Sequence, residues 1–169
     1  MSQETTTTAT QYLTYTLAGE VFALDITKVR EVLDFTTVAR IPSMPDFMMG
    51  VINLRGSVVP VIDLRAKFRM VRSEKTVNTC VIITEVEIDG ETCVLGALAD
   101  SVQEVVDTDQ LQIEPAPRIG ATLRTDFIRG MGKHGDRFLI ILDIDKVFSA
   151  DELFLAEKIT AGADAAAAA

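Results

Sequence analysis

From residue 11 onward the chain runs as short apolar stretches separated by turn residues. Tyr12 to Leu17 alternates, turns at Ala18-Gly19 and resumes as Glu20 to Leu24, which predicts a hairpin. Thr79 to Val86 and Glu91 to Leu98, joined by Asp89-Gly90, predict a second. Val58 to Ile62 and Phe138 to Leu142 read as two further strands. Pro60 cannot donate a ladder hydrogen bond, so its strand is expected at an edge or beside a bulge. Helix signals are few. Asp25 to Leu33 predicts one helical turn followed by a strand, and Asp143 to Leu155 a short C-terminal helix, with a restart capped at Ser149 or Asp151. The pattern predicts a mainly β fold.

An internal repeat underlies it. The text Lys28 to Leu33 returns as Ser101 to Val106, at the 73-residue offset from Val29 to Val102, and Ile41-Pro42 falls against Glu114-Pro115. Beyond a seven-residue insertion the offset becomes 80: Gly50 with Gly130, Val58 to Ile62 with Phe138 to Leu142, and Asp63-Leu64 with Asp143-Ile144. Two similar β units follow, the second starting near residue 77. Small antiparallel units of this size remove their edges by closing into barrels.

Composition narrows the function. Sixteen basic against 25 acidic side chains give a net charge of −9 in 169 residues, which argues against a nucleic-acid binder. No apolar run is long enough for a transmembrane helix, and the N-terminus lacks signal-peptide features, so a cytoplasmic protein without membrane insertion is expected. Residues 1–10 and 159–169, Thr-rich and Ala-rich respectively, read as flexible tails around a domain spanning 11–158.

Candidate chemistry is thin. Cys80 and Cys93 sit in the two halves of one predicted hairpin; they are expected as reduced, buried thiols, and their proximity leaves a disulfide or redox pair open. His134 falls in what reads as an exposed turn, and no Cys/His zinc site can be assembled. Asp63, Asp100 and Asp143 each follow an apolar strand. They suit a carboxylate-based, metal-dependent hydrolase or, more simply, strand-end capping, which fits Asp143 especially well. No nucleotide, nucleophile-elbow or zinc-protease motif accompanies them, so no cofactor, metal or catalytic residue is assigned. A small-ligand barrel would need a cavity that units this small fill with their own side chains. Met44, Met48 and Met49 read as core fillers or as an adaptable contact surface.

Asn53 to Gly56 interrupts two apolar strands and projects Arg55 outward. Two readings stand: a hairpin turn in which Asn and Gly supply positive φ and Arg55 is merely solvated, or an Arg55 that contacts a partner. The equivalent turn, Lys133 to Asp136, has no matching Arg. In the repeated Val-x-Glu-Val segments Val29 and Val102 are expected core residues or exposed hydrophobes marking a partner surface.

Together, Lys28 to Val32, Ile41 to Pro45, Gly50 to Gly56, Val59 to Arg65, Gln112 to Pro117 and Ile128 to Gly130 resemble the CheW family of chemotaxis coupling proteins over roughly residues 11–158. The resemblance implies two SH3-like five-stranded barrels and a non-enzymatic adaptor. In that family the adaptor bridges the cytoplasmic tips of chemoreceptors, helical hairpins lying between the barrels, to the regulatory domain of the histidine kinase CheA, and is recruited to membrane-associated arrays. By the same resemblance Arg55 matches an arginine linked to receptor and kinase coupling. Val29 and Glu31 match receptor-facing positions, Gly50 the glycine before the Asn53-to-Gly56 turn, and Val102 and Val105 groove-side positions. A CheW-like adaptor of a non-flagellar kinase pathway fits the same text. Cys80 departs from the usual aliphatic residue, and the tail after Lys158 has no family counterpart.

Overall fold

The computed structural model describes residues 10–35, 37–70, 74–88, 90–108, 112–114, 127–148 and 152. The expected tails lie outside these residues save Thr10, as do Asp89, Pro115, Pro117, Ser149, Asp151 and residues 153–158.

The described residues form two sheets. The strands are β1 (Gln11–Leu17), β2 (Glu20–Asp25), β3 (Val29–Asp34), β4 (Met48–Leu54), β5 (Ser57–Asp63), β6 (Cys80–Ile88), β7 (Glu91–Ala99), β8 (Ser101–Asp107), β9 (Gln112–Glu114), β10 (Ile128–His134) and β11 (Arg137–Leu142). One sheet runs β8-β1-β2-β11-β10-β9 and the other β3-β6-β7-β5-β4. The expected pair of five-stranded units is thus one of five and one of six. The difference is β9, whose counterpart in the first unit is the single bridge Ala39–Val51. Two short helices, α1 (Leu64–Lys67) and α2 (Ile144–Val147), follow β5 and β11, and Ile26–Lys28 forms the predicted helical turn before β3. Hydropathy did not indicate α1, because four residues hold no helical period.

The repeat is real at the level of register. The parallel ladder Val61↔Gly96, Ile62↔Ala97 recurs as Ile141↔Ala23, Leu142↔Leu24, at the offsets of 80 and 73. A register shift falls between Met48 and Gly50 and again between Ile128 and Gly130. The sheets do not, however, follow the repeat boundary near 77. The hairpin β1–β2 joins the second unit's strands, and β6–β7 joins the first unit's. Each repeat therefore completes its sheet with the other's hairpin.

Burial follows this exchange. Tyr12, Val21, Ala23, Val106, Leu139 and Ile141 form a core within the six-stranded sheet, and Ile52, Val59, Val61, Val81, Ile83 and Leu98 one within the five-stranded sheet. The largest cluster, including Leu13, Leu24, Ile62, Ile82, Leu95 and Leu142, draws on both sheets. Phe68, just after α1, stacks on Phe127 at 4.8 Å, and its repeat mate Phe148, after α2, lies 6.4 Å from Phe47. These aromatic pairs tie each unit's helix to the segment entering the other's hairpin.

Several expectations are corrected. β5 lies between β7 and β4, so Pro60 is not on an edge strand, and the register shift in that hairpin is in β4. It is tolerated because its ladder to β7 begins only at Val61. Cys80 pairs with Ala99 and Cys93 with Val86, six ladder positions apart on the same hairpin, so no disulfide joins the two. Burial pushes the Cys80 thiol up. His134 ends β10 half-buried rather than standing in an exposed turn, which falls at Gly135-Asp136. Met48 is buried, and Met44 and Met49 pack against the cores, as gap fillers do.

Candidate functional site

The β4–β5 turn closes tightly. Leu54 pairs with Ser57, leaving Arg55 and Gly56 as the two turn residues, at φ +52° and +88°. Two consecutive positive φ values define the turn type whose twist suits a hairpin, and its first position favours Asn, Asp or Gly. The sequence places an arginine there. Asn53 does not supply positive φ, as one reading had it; it sits in β4, and its Oδ1 accepts a hydrogen bond from the Gly56 amide at 2.9 Å. A side chain at φ > 0 costs about 1 kcal/mol, so Arg55 occupies the tip against local preference.

Its guanidinium is held from the side. Nη1 and Nη2 donate to Glu31 Oε2 and Oε1 at 2.7 and 2.6 Å, a two-pronged pair, while the Arg55 side chain stays 70% exposed. This hydrogen bonding lowers the Glu31 carboxyl below its ordinary value of 4.5 and raises Arg55. Glu31 lies on β3 and Arg55 at the end of β4, the two edge strands of one sheet, so the pair spans its open side.

Gly50 shapes the same region from within. It is buried at φ +148°, and a Cβ there would stand 2.1 Å from the Ala39 carbonyl oxygen, which accepts the Val51 amide. Its repeat mate Gly130 is crowded by the Glu114 carbonyl in the same manner, at 2.8 Å. Gly50 acts by letting the backbone of 39 close on β4, and presents no contact surface of its own.

Val29 and Val102 are neither fully exposed nor core. Both are half-buried and pack against the core shared by the sheets, because each is the first apolar residue after the chain passes from one sheet to the other. Val105 is 46% exposed. The structure brings Glu31, Asn53, Arg55 and Gly56 together at the open side of the five-stranded sheet; Val102 and Val105 lie on β8 of the other sheet. Val32 is 41% exposed and sits 73 positions before Val105. Taking the repeat offset from Val105 would have singled it out. Phe138, 62% exposed, carried no such signal, since its repeat mate Val58 is half-buried.

The carboxylate alternative fails on geometry. Asp63 and Asp100 converge, but on the buried guanidinium of Arg65, at 3.3 and 3.0 Å. Asp63 also caps α1 by accepting the Arg65 amide. Asp143 lies in the other sheet's unit near Arg129 and Lys146, and it makes no side-chain cap hydrogen bond, contrary to the sequence reading. Among the described residues no three His, Cys, Asp or Glu side chains gather as a metal site would require. A cavity lined by Thr14, Glu104, His134 and Arg137 measures about 20 Å³, room for about one water molecule. Among the described residues no helix is long and apolar enough to cross a membrane.

The described residues form two sheets on a shared core, with Arg55, Val32, Val105 and Phe138 exposed at the surface. A sequence profile described as the CheW-like domain matches residues 11–152, so the chain belongs to the CheW family, whose members are non-enzymatic scaffold proteins of chemotaxis. It is 39% identical over 153 residues to the chemotaxis protein CheW of Klebsiella aerogenes, covering 90% of both chains. Against CheW of Rhizobium meliloti it is 30% identical over 142 residues, 84% of this chain and 89% of the relative. The crystal structure of the scaffolding protein TtCheW from Thermoanaerobacter tengcongensis superposes with a TM-score of 0.72 at 34% identity, over 85% of this chain and 95% of that one.

Proposed function

We propose that this chain couples methyl-accepting chemoreceptors to the histidine kinase CheA, binding the kinase's regulatory domain and the helical receptor tips and joining their membrane-associated arrays from the cytoplasmic side. The observation that carries the reading is Arg55: an exposed arginine kept at a strained turn tip and oriented by Glu31. Arginine is favoured at binding hot spots, and pre-orientation lowers what a partner must spend on ordering it. Glu31, Asn53, Arg55 and Gly56 form one contact region with Val29 beside it; Val102 and Val105 form a second, on the other sheet. Gly50 supports the first through the backbone. Residues 11–158 form the CheW-like domain that carries this activity, and the tails are assigned no role in it.

Titration calorimetry of the chain against the regulatory domain of CheA from the same cell tests this. Saturable binding weakened by Arg55→Ala, with unchanged circular dichroism, is the expected result. Binding insensitive to the substitution would move Arg55 to the receptor side or out of the interface. Binding only to the kinase of a non-flagellar chemosensory pathway would reassign the partner, and no binding to either would defeat the proposal.

A further inference from the structure

The described chain passes between its sheets at two places: Ile26–Lys28, between β2 and β3, and Asp100, between β7 and β8. Each crossing is gripped by the second residue of a helix, and those residues, Arg65 and Asp145, are repeat mates 80 positions apart. Arg65 Nη1 meets Asp100 Oδ1 at 3.0 Å, and Asp100 Oδ2 accepts the Ala18 amide of the β1–β2 turn at 2.8 Å. At the other crossing Lys28 Nζ meets Asp145 Oδ2 at 2.8 Å, and Asp145 Oδ1 accepts the Glu87 amide of the β6–β7 hairpin at 2.8 Å. The same clasp has been built twice with its charges reversed. In both, the carboxylate also holds a backbone amide of an exchanged hairpin.

The two clasps differ in shielding. The Arg65 side chain is only 6% exposed against 22% for Lys28, while the carboxylates Asp100 and Asp145 are alike at 25% and 28%. A buried guanidinium between two carboxylates is a fixed point, because separating it would strand charge in the interior. The other pair is part-buried, and its cation is more accessible to solvent and salt than Arg65. Val29 is bonded directly to Lys28, and Glu31 follows two residues later.

We infer that Lys28 and Asp145 are positioning residues for the Val29–Glu31 side of the docking surface, setting β3 against α2 and the β6–β7 hairpin while Arg65 and Asp100 fix the β8 side. Neither residue is required to touch the partner. The inference rests on the adaptor reading above for its binding consequence, and on the structure alone for its geometric one.

Two measurements on the full chain separate these: amide NMR spectra of β3, and calorimetric titration with the CheA regulatory domain. Lys28→Met removes the cation, and Asp145→Asn removes the charge while keeping an acceptor for Glu87. Each is expected to shift the Val29 to Val32 amides in the same direction and to weaken binding about three- to tenfold. The double variant should be no weaker than either single one, and Lys28→Arg should bind like wild type. Unmoved β3 amides, or additive losses in the double variant, overturn the inference. If Lys28→Met fails to fold, raising salt on the wild type screens the same pair and must move the same amides; their silence overturns it equally. A wild-type chain that does not bind defeats the adaptor reading, and the β3 amides then decide the positioning role by themselves.

Discussion

Arg55 and Glu31 join the two outer strands of one five-stranded sheet through a two-pronged ion pair at 2.6 and 2.7 Å. Among the described residues no ladder of backbone hydrogen bonds joins β3 to β4; the side-chain pair spans them, and the Ala39–Val51 bridge lies along the outer side of β4. The arginine offered to a partner is therefore also a strut of the unit that offers it.

Its titration follows from the direction of the Glu31 shift. A carboxyl whose folded value lies below 4.5 favours the folded state above that pH, and this contribution is lost as pH falls through the lowered value. Glu31 is expected to titrate below 4.5 by carbon-detected NMR, and in Arg55→Ala to return toward it. An unchanged midpoint in the variant would show that the pair does not persist in solution. Because both groups are solvent-accessible, melting near neutral pH should barely change, while partner affinity drops about tenfold or more.

Gly50 and Gly56 separate crowding from backbone strain. At Gly56 a methyl group meets open space and only the positive φ of 88° opposes it, so Gly56→Ala should cost about 1 kcal/mol. At Gly50 the added carbon collides with the Ala39 carbonyl, which cannot retreat without losing the Val51 hydrogen bonds. Gly50→Ala should then cost about 3 kcal/mol or more by urea denaturation. Equal losses at the two sites would refute the close approach at 39.

Tyr15 carries a hydroxyl that is buried in the shared core and has no hydrogen-bond partner among the described residues, its ring stacked on Phe22 at 6.0 Å. Burial raises its ionisation well above the ordinary 10.0. An unmet buried polar group is a cost that phenylalanine removes at almost the same shape. Tyr15→Phe should raise the unfolding free energy by about 1 kcal/mol, measured by denaturant titration. A loss of that size would mean that the hydroxyl has found a partner.

The strands were legible in the sequence as short apolar runs closed by turn residues, and the repeat because Gly50 recurs as Gly130 and Asp63-Leu64 as Asp143-Ile144 at one offset. Arg55 was legible as an outlier at a turn. What the sequence could not disclose is which strand completes which sheet. An apolar run states that β1 and β6 are buried, and is silent on whether the neighbouring strand comes from the same repeat. For the same reason the Arg65 grip on Asp100, between residues 35 apart in sequence, and the exchanged Phe68–Phe127 and Phe47–Phe148 contacts had no local signature. The catalytic reading of Asp63 and Asp100 stood open beside strand-end capping because no local pattern showed that the two share Arg65.

The hairpin exchange makes the repeat boundary a poor place to divide the protein. Cut between residues 76 and 77, the N-terminal piece would keep β3, β4 and β5 but lose β6 and β7, the strands that hold β3 and β5 in one sheet. Its own β1–β2 hairpin would be left with an apolar face and no sheet, since Leu13, Leu17 and Leu24 belong to the core shared with the other unit. Isolated two-stranded hairpins are marginal in water, and a sheet lacking its central strands has no core to offset ordering entropy. Each piece alone is therefore expected to give the circular dichroism and amide NMR dispersion of an unfolded chain. Mixed in equal amounts, the two should regain native dispersion, because every ladder can be rebuilt across the cut. A piece that folds alone with a cooperative melt would show that each repeat can close on its own hairpin, and that the exchange seen here is a choice between two packings rather than a requirement.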